Sequence, residues 1–600
     1  MTDEHSTQTL SARDITLLEK YRVERSKRIR TDGLAQFRRT DGEFAHFLED
    51  PYVETPLNRA PMEDEADVVV VGGGWSGMLT ALRLRQAGVD NIRIIESGSD
   101  FGGVWYWNRY PGCKCDVDSF IYMPLLEETG YMPTEKYAKS EEIRAHAQAV
   151  GRQFDLYRHA VFQTRVTELR WDEDTARWIV GTNRKDTIKS RFVFVGNGPL
   201  NYPKLPGIPG IETFKGHSFH TSRWDYAYTG GDANGNLVNL KDKRVAMIGN
   251  GSSGVQCAAP LGEWAKQLYV VQRTPAVVGI RGNKPTDPDW VSTLKPGWSR
   301  ARMANFDGIL AGVIRDEDLV GDEWTNLWAP PPPPDPGADP SQLAAMFQKI
   351  DIEKMERIRA RVDSIVKDPA TAESLKPYYN RFCKRPTFND EYLPTFNRPN
   401  VKLIDTQGRG LDRITEHAIV FDGRSYEVDC IVYASGFELL TTSHKAGGFE
   451  IIGRGGQTLD EKWSKAVRSL HGIYTHGFPN LFLVAGLRQG SPTVNNLYMT
   501  GEQALHAAEV VKRVLHDHIK IMEVTREAED RWCEIIAAKS SVNVDYIRAC
   551  TPSFLNAEAD LSELPKQAFP TAYRGGPFEY LDILKDWRER RLVDDLHLTR

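Results

Sequence analysis

The sequence predicts an α/β fold: two Rossmann-like dinucleotide-binding domains, the second carrying a mainly helical insertion. Three observations predict it. A short β-branched run, a glycine-rich turn, a helical stretch and a second apolar run follow one another at 67–96 and again at 243–273. Between 276 and about 380 the pattern turns mainly helical. At 600 residues the chain is also too long for one hydrophobic core.

Residues 1–64 form a charged N-terminal extension, partly helical (SARDITLLEKYRVERSKRIR) and expected to pack on the surface. The first dinucleotide-binding domain is expected to begin at residue 65 and run to 200. In it, Asp67-Val68-Val69-Val70-Val71 suits a strand buried on both faces of a parallel sheet. The strand enters Gly72-Gly73-Gly74-Trp75-Ser76-Gly77 and is followed by a helix and the strand Asn91–Ile95, ending on Glu96. The second domain is expected over 201–275 and 381–430, around the insertion at 276–380. Its strand Lys243–Ile248 leads to Gly249-Asn250-Gly251-Ser252-Ser253-Gly254, a helix, the strand Gln267–Val271 and then Arg273-Thr274. The insertion holds the stiff Pro330–Pro334 run, which favours an extended polyproline conformation. Residues 431–600 are expected to return to the first domain and supply a C-terminal segment.

A lone GxGxxG is a weak signal. Two copies, each closing a strand and opening a helix, are a strong one. The glycines permit a tight turn, a close backbone approach to pyrophosphate and close helix–strand packing, and the helix N-terminus faces the phosphate charge. Glu96 and Arg273 both lie twenty-four residues after the first glycine of their motifs. A carboxylate there accepts hydrogen bonds from ribose hydroxyls and repels a 2′-phosphate, whereas a guanidinium attracts that phosphate. The first site therefore suits FAD or NAD, and the second suits NADP(H); FAD plus NADPH is the economical pair. Three classes of enzyme then compete: a disulfide reductase, a reductase serving a protein partner, and a monooxygenase. Cys113-Lys114-Cys115 has the wrong spacing for a redox pair, so its cysteines are expected to be packing residues.

Between the two motifs lies Phe214-Lys-Gly216-His217-Ser218-Phe219-His220-Thr221-Ser222-Arg223-Trp224-Asp225. It is richer in aromatic, imidazole and hydroxyl groups than an idle linker needs. Phe214, Gly216, His220, Trp224 and Asp225 fit FxGxxxHxxxW followed by Pro or Asp. With GGVWYWNRYPG at 102–112, Cys115-Asp116, Gln272-Arg273-Thr274-Pro275, Cys383-Lys384-Arg385-Pro386, Asn397-Arg398-Pro399-Asn400 and GFPNLF from Gly477, the chain resembles the Baeyer–Villiger monooxygenases over roughly 65–515. Its long N-terminus and PLLEETGYMPTEKY look most like members acting on large cyclic or polycyclic ketones, such as cyclopentadecanone monooxygenase.

The resemblance implies an enzyme that uses NADPH and O₂ to insert one oxygen beside a ketone carbonyl, through a C4a-peroxyflavin, giving an ester or lactone. It carries the catalytic arginine to Arg385 and its carboxylate partner to Asp116. Lys384 would join Arg273 and Thr274 at the NADPH adenosine. Val104, Trp105, Asp116, Tyr122 and Val166 would line the flavin, and Glu96 would hold its ribose. His220 and Trp224 are expected to anchor a hinge between the domains. Ser491, Thr493, Asn496 and Leu497 are pocket candidates by position. Where many relatives carry Ser-Trp-Tyr near the C-terminus, this chain reads Thr551-Pro552-Ser553-Phe554-Leu555-Asn556. Asn197 and Ser435 stand where Thr is commoner.

A heteroatom-oxidising flavin monooxygenase remains the alternative, and so does an NADPH-dependent flavin reductase with a protein partner. The net charge of −6 gives no reason to expect nucleic acid. The opening MTDEHSTQTL lacks the regions of a signal peptide, and no apolar run nears the roughly 20 residues of a membrane span. A cytoplasmic protein, a monomer with the oligomeric state left open, with seven reduced cysteines and no metal, is the expectation.

Overall fold

A computed structural model describes residues 10–314, 316–329, 339–439, 447–484, 489–539, 544–566 and 572–600. The Pro330–Pro334 run lies outside them. The two β-branched runs each seed a sheet. Val68, Val69 and Val70 are wholly buried in the strand Glu63–Val71, which pairs in parallel with Ile92–Ile95 on one side and Thr187–Val195 on the other. This eight-stranded sheet also takes an antiparallel meander, Val166–Asp172, Arg177–Thr182 and Thr187–Val195. The chain comes back to it late: Glu450–Ile452 joins Val166–Asp172, and Leu481–Leu483 joins Thr187–Val195.

The second sheet is all parallel, in the order Val401–Asp405, Gln267–Gln272, Arg244–Ile248, Cys430–Tyr433, His217–His220. One expectation changes here. The strand Cys430–Tyr433 belongs wholly to this sheet, so the expected boundary at 430/431 cuts a strand, and the second unit runs through Tyr433. The aromatic stretch 214–225 is not a free connector, because its residues His217–His220 are the sheet's edge strand.

The two glycine motifs are folded alike. Gly72 and Gly249 have φ of +106° and +110°, which side chains rarely adopt. The third glycine of each motif is demanded by packing: a Cβ on Gly77 would lie 1.8 Å from the Gly72 carbonyl oxygen, and one on Gly254 2.3 Å from that of Gly249. Each motif opens a helix, Trp75–Gln86 or Ser252–Trp264. The first of these is buried along nearly its whole length between its sheet and the helix Asn496–His516.

The N-terminal extension departs from a purely surface role. Its helix Ala12–Ser26, closed by a Ser11–Asp14 capping box, buries only Tyr21. The residues after it go inward. Phe37–Arg39 pairs with Lys204–Pro206, and Phe44 and Phe47 join Leu205, Ile248, Val271 and Tyr433 in the second domain's core. Burying a phenylalanine side chain is worth roughly 1.5–3 kcal/mol, enough to hold a segment that its charge-rich surroundings had assigned to the surface. The insertion forms helices at Trp298–Leu310, Glu323–Trp328, Pro340–Ile365 and Pro369–Leu375.

The cysteines also depart from expectation. Cys383 and Cys550 form a disulfide across a sequence separation of 167, while Cys113 and Cys115 are free and buried. Among the described residues no helix is long and apolar enough to cross a membrane.

Candidate active site

One cavity of about 830 Å³ runs from the first glycine turn to the second. Each turn has a partner loop from the neighbouring strand end. Gly72 packs on Gly196-Asn197, and Gly249 on Ala434-Ser435, so the two residues that depart from the commoner Thr occupy equivalent positions. Ser435 donates to the Lys204 carbonyl at 2.6 Å, so the small polar residue there is satisfied.

At the first turn the Glu96 carboxylate accepts from the Gly73 and Gly98 N–H groups, both at 2.6 Å. Burial pushes its pKa up, and these N–H donors only partly offset that. Trp75 lines the cavity with its indole N–H buried and without a partner among the described residues. Trp105 donates to the Tyr122 hydroxyl at 2.9 Å, and both rings, with Val104 and Val166, form the wall beside Asp116. At the second turn no atom lies within 4 Å of the position a Cβ of Gly251 would take. Gly251, Ser252 and Ser253 line the cavity at the helix start. A carboxylate beside one turn and cations beside the other, Arg273 and Lys384, fit a flavin adenine dinucleotide and a 2′-phosphorylated nicotinamide dinucleotide respectively.

Between the turns sits a two-point ion pair across the domain seam. Arg385, from the second unit, donates Nη1–H to Asp116 Oδ2 at 2.6 Å and Nη2–H to Oδ1 at 2.9 Å. Asp116 comes from the loop that follows the first nucleotide unit. Burial pushes its carboxyl up, but the Arg385 charge and hydrogen bonds, helped by Arg281, outweigh this and hold it below the usual range. Arg385 keeps 36% of its side-chain surface, while Asp116 keeps 12%. The carboxylate is the sheltered holder, and the guanidinium is the face turned to the cavity. Trp324 of the insertion donates to the Asp116 carbonyl at 2.6 Å, and its ring lies 5.0 Å from the Arg385 Cζ. The loop is pinned on its other side by Gln256, which exchanges hydrogen bonds with the backbone of Lys114 at 2.9 and 3.2 Å.

The structure gathers onto this cavity Gly72, Gly74, Trp75, Ser76 and Glu96 of the first site, and Gly249, Gly251, Ser252, Ser253, Arg273, Thr274 and Lys384 of the second. Gly77 and Gly254 lie behind it as packing glycines. Ser491, Asn496 and Leu497 reach the wall, but Thr493 does not; its hydroxyl turns back to the Asn495 carbonyl at 3.0 Å. Ser553, Phe554 and Leu555 do reach it. Sequence reasoning missed Arg30, Gln36, Phe37, Lys204 and Glu558, which line the Arg273 end. None carries a spacing signal, since the first three are some 240 residues from Arg273 in the chain.

Phe214, Gly216, His220, Trp224 and Asp225 are not on the cavity wall. Trp224 is fully buried, donates Nε1–H to Thr229 Oγ1 at 3.1 Å, and donates its backbone N–H to the Tyr52 hydroxyl oxygen at 3.0 Å. Its neighbour Arg223 lies 3.6 Å from the centre of the Trp107 ring of the first domain. His220 is buried, accepts the Ser222 N–H on Nδ1 at 3.2 Å, and burial drives its pKa down to about 3, so it stays neutral. Asp225 caps the helix Tyr226–Thr229 and bonds His217 Nε2 at 2.9 Å. Gly216 is required by close approach, because a Cβ there would lie 2.7 Å from the Asp429 carbonyl oxygen.

Two dinucleotide units sharing one cavity, with a guanidinium–carboxylate pair between them, define a flavin- and nicotinamide-dependent oxidoreductase. The family model described as flavin-binding monooxygenase-like matches residues 65–289. Pentalenolactone D synthase of Streptomyces arenae is 49% identical over 579 residues, covering 95% of this chain and 97% of that one. A Baeyer–Villiger monooxygenase of Streptomyces coelicolor is 44% identical over 593 residues, covering 97% of both. The solved polycyclic ketone monooxygenase from Thermothelomyces thermophila is 36% identical with a TM-score of 0.90, covering 98% of this chain and 99% of that one. The chain belongs to the Baeyer–Villiger monooxygenases. It is an FAD-containing, NADPH-dependent enzyme that uses O₂ to place an oxygen beside a ketone carbonyl.

Proposed function

We propose that this enzyme converts bulky, polycyclic ketones to esters or lactones, with Arg385 as its catalytic cation and Asp116 as the residue that orients it. The observation that carries the catalytic reading is the bidentate pair at 2.6 and 2.9 Å, where the two nucleotide sites meet. Bound FAD, once reduced by NADPH, supplies the activated oxygen. The residues do the rest. A guanidinium stays protonated at every working pH, so Arg385 offers a fixed positive charge to the carbonyl oxygen as negative charge gathers there. Asp116 fixes the plane of that cation and, through Trp324, ties it to the insertion. Glu96 would hold the flavin ribose; Arg273 and Lys384 would hold the 2′-phosphate of NADPH. The apolar wall of Val494, Leu497, Phe554 and Leu555 would receive the hydrocarbon part of the ketone and exclude water.

The bulky-substrate reading is supported by relatives that match nearly end to end, a polycyclic ketone monooxygenase and pentalenolactone D synthase. It is tested by aerobic turnover with NADPH on monocyclic, bicyclic and tricyclic ketones, amines and sulfides, with products weighed. A polycyclic ketone should gain one oxygen, with kcat/KM at least about tenfold above cyclohexanone, the worth of about two extra buried methylenes. A preference for cyclohexanone would overturn the size assignment, and heteroatom oxidation without ester would overturn the chemistry.

His220 and Trp224 would act mechanically, keeping the second domain's edge strand seated on the first domain as the domains move. Trp224→Ala should destabilise the protein by about 3–5 kcal/mol, the range for truncating a buried tryptophan, read as a lower unfolding temperature. An unchanged unfolding temperature would mean that this seam does not hold the domains.

A further inference from the structure

Three carboxylates stand on the cavity wall among the described residues: Glu96, Asp116 and Glu558. Glu96 holds the backbone of its own turn and Asp116 holds Arg385, whereas Glu558 stands at the Arg273 end. It is 6% exposed, and its Oε2 lies 3.6 Å from Arg273 Nη2. That is an ionic contact longer than a hydrogen bond. The other terminal nitrogen of Arg273, Nη1, donates to the Gln36 side-chain oxygen. Lys204, Lys384 and Arg30 line the same end of the cavity, and each feels the Glu558 charge. Burial, with Arg273, Arg28 and Lys204 adding to it, pulls Lys384 down to about 8 against the opposing pull of Glu558. Arg30 is also paired with Asp32, and Lys204 also feels Glu438, but on the cavity wall among the described residues Glu558 is the carboxylate at this end.

The loop bearing Glu558 is built to present it. Ala557, Glu558 and Ala559 have φ of 52°, 56° and 73°, three consecutive left-handed residues without a glycine. Asn556 closes the loop by accepting the N–H groups of Ser553 and Ala559 at 2.8 and 3.2 Å. The loop hangs from the residue before Lys384: Ser553 donates to the Cys383 carbonyl at 2.8 Å, and Cys550 is bonded to Cys383. Phe554 and Leu555, in the same loop, face the cavity.

We propose that Glu558 is a specificity-determining residue: its carboxylate stands in for the 2′-phosphate of NADPH among Arg273, Lys384 and Lys204, and arrival of the phosphate displaces it together with the loop 553–559. This rests on the reading that those cations hold the 2′-phosphate. Two anions cannot share one cation cluster without repulsion, so the resident carboxylate weakens binding of the phosphorylated cofactor and leaves NADH less affected. Phosphate occupancy is thereby transmitted to Phe554 and Leu555 on the substrate side.

The test is calorimetric titration of the FAD-loaded enzyme with 2′,5′-ADP and with 5′-AMP. Glu558→Gln, which keeps shape and removes charge, should tighten 2′,5′-ADP about tenfold and shift 5′-AMP less than about twofold, the mark of a like charge removed. Unchanged or weaker 2′,5′-ADP binding, or an equal gain for 5′-AMP, would overturn the proposal. Arg273→Ala separates the two layers. If it weakens 2′,5′-ADP while Glu558→Gln changes nothing, the phosphate site stands and only the role of Glu558 falls. If Arg273→Ala leaves 2′,5′-ADP unaffected, the phosphate site itself is misplaced and the proposal falls with it. In the unaltered enzyme, amide hydrogen exchange over 553–559 should rise when 2′,5′-ADP is added; no change there would overturn displacement of the loop.

Discussion

Arg385→Ala is expected to leave reduction of bound flavin by NADPH nearly intact while ester formation falls by a factor of about 10²–10³ or more. That is the cost of removing one preorganised charge-stabilising donor from an active site. The split follows from geometry. Arg385 contacts Asp116 and faces the cavity, whereas the flavin-side residues Glu96, Trp105 and Tyr122 do not depend on it for their hydrogen bonds. The substitution also strands a buried carboxylate: Asp116 would lose the two hydrogen bonds and the charge that outweigh its burial. Because Arg385 keeps 36% of its side-chain surface, the loss should fall below that of a fully buried pair, at about 1.5–3 kcal/mol, so the variant should also unfold at lower temperature. Anaerobic stopped-flow reduction separates the two effects, because a misfolded site would slow flavin reduction as well. Ester formation at the unaltered rate would remove Arg385 from the chemistry. Arg385→Lys is a sharper version. It keeps a charge but cannot form the bidentate pair, and so it should recover only part of the lost rate.

The second large effect is expected at Arg273. Replacing it with alanine should raise the KM for NADPH by about tenfold to a hundredfold, the worth of a charge-assisted phosphate contact of about 1.5–3 kcal/mol. The KM for NADH should move by less than about twofold, since that cofactor carries no 2′-phosphate. Steady-state kinetics with both cofactors decides it, and equal effects on the two would show that Arg273 does not read the phosphate. Lys384 and Lys204 stay behind in this variant, so the loss is expected to stop short of abolishing NADPH use.

Much of this architecture was legible because its signals are local. A glycine at φ +106° or +110°, a β-branched strand before it and a helix after it are decided within about ten residues. The Glu96/Arg273 contrast sits at a fixed distance from each motif, so the two turns could be told apart before any contact was known. Less legible were features made by distant segments. Trp324 reaches the Asp116 backbone from an insertion whose helical pattern says nothing about where it docks. The boundary at 430/431 was misplaced because Cys430–Tyr433 reads equally well as the last strand of one sheet or the first of the other; only its pairing with Arg244–Ile248 decides.

The sequence by itself determined the α/β class, the two nucleotide units and the different charge beside each, and it pointed to the Arg385–Asp116 pair that the structure joins. Those properties are written in short-range turn geometry, in strand composition and in the chemistry of single side chains. The tertiary structure alone decided what completes the site: Gln36 and Phe37 against Arg273, the Cys383–Cys550 bond behind Lys384, and Glu558 amid the cations. Their separations in the chain run from 167 to 285 residues or so. Contacts across such distances leave no periodicity or spacing to read, because they follow from how buried surfaces pack once the two sheets have formed.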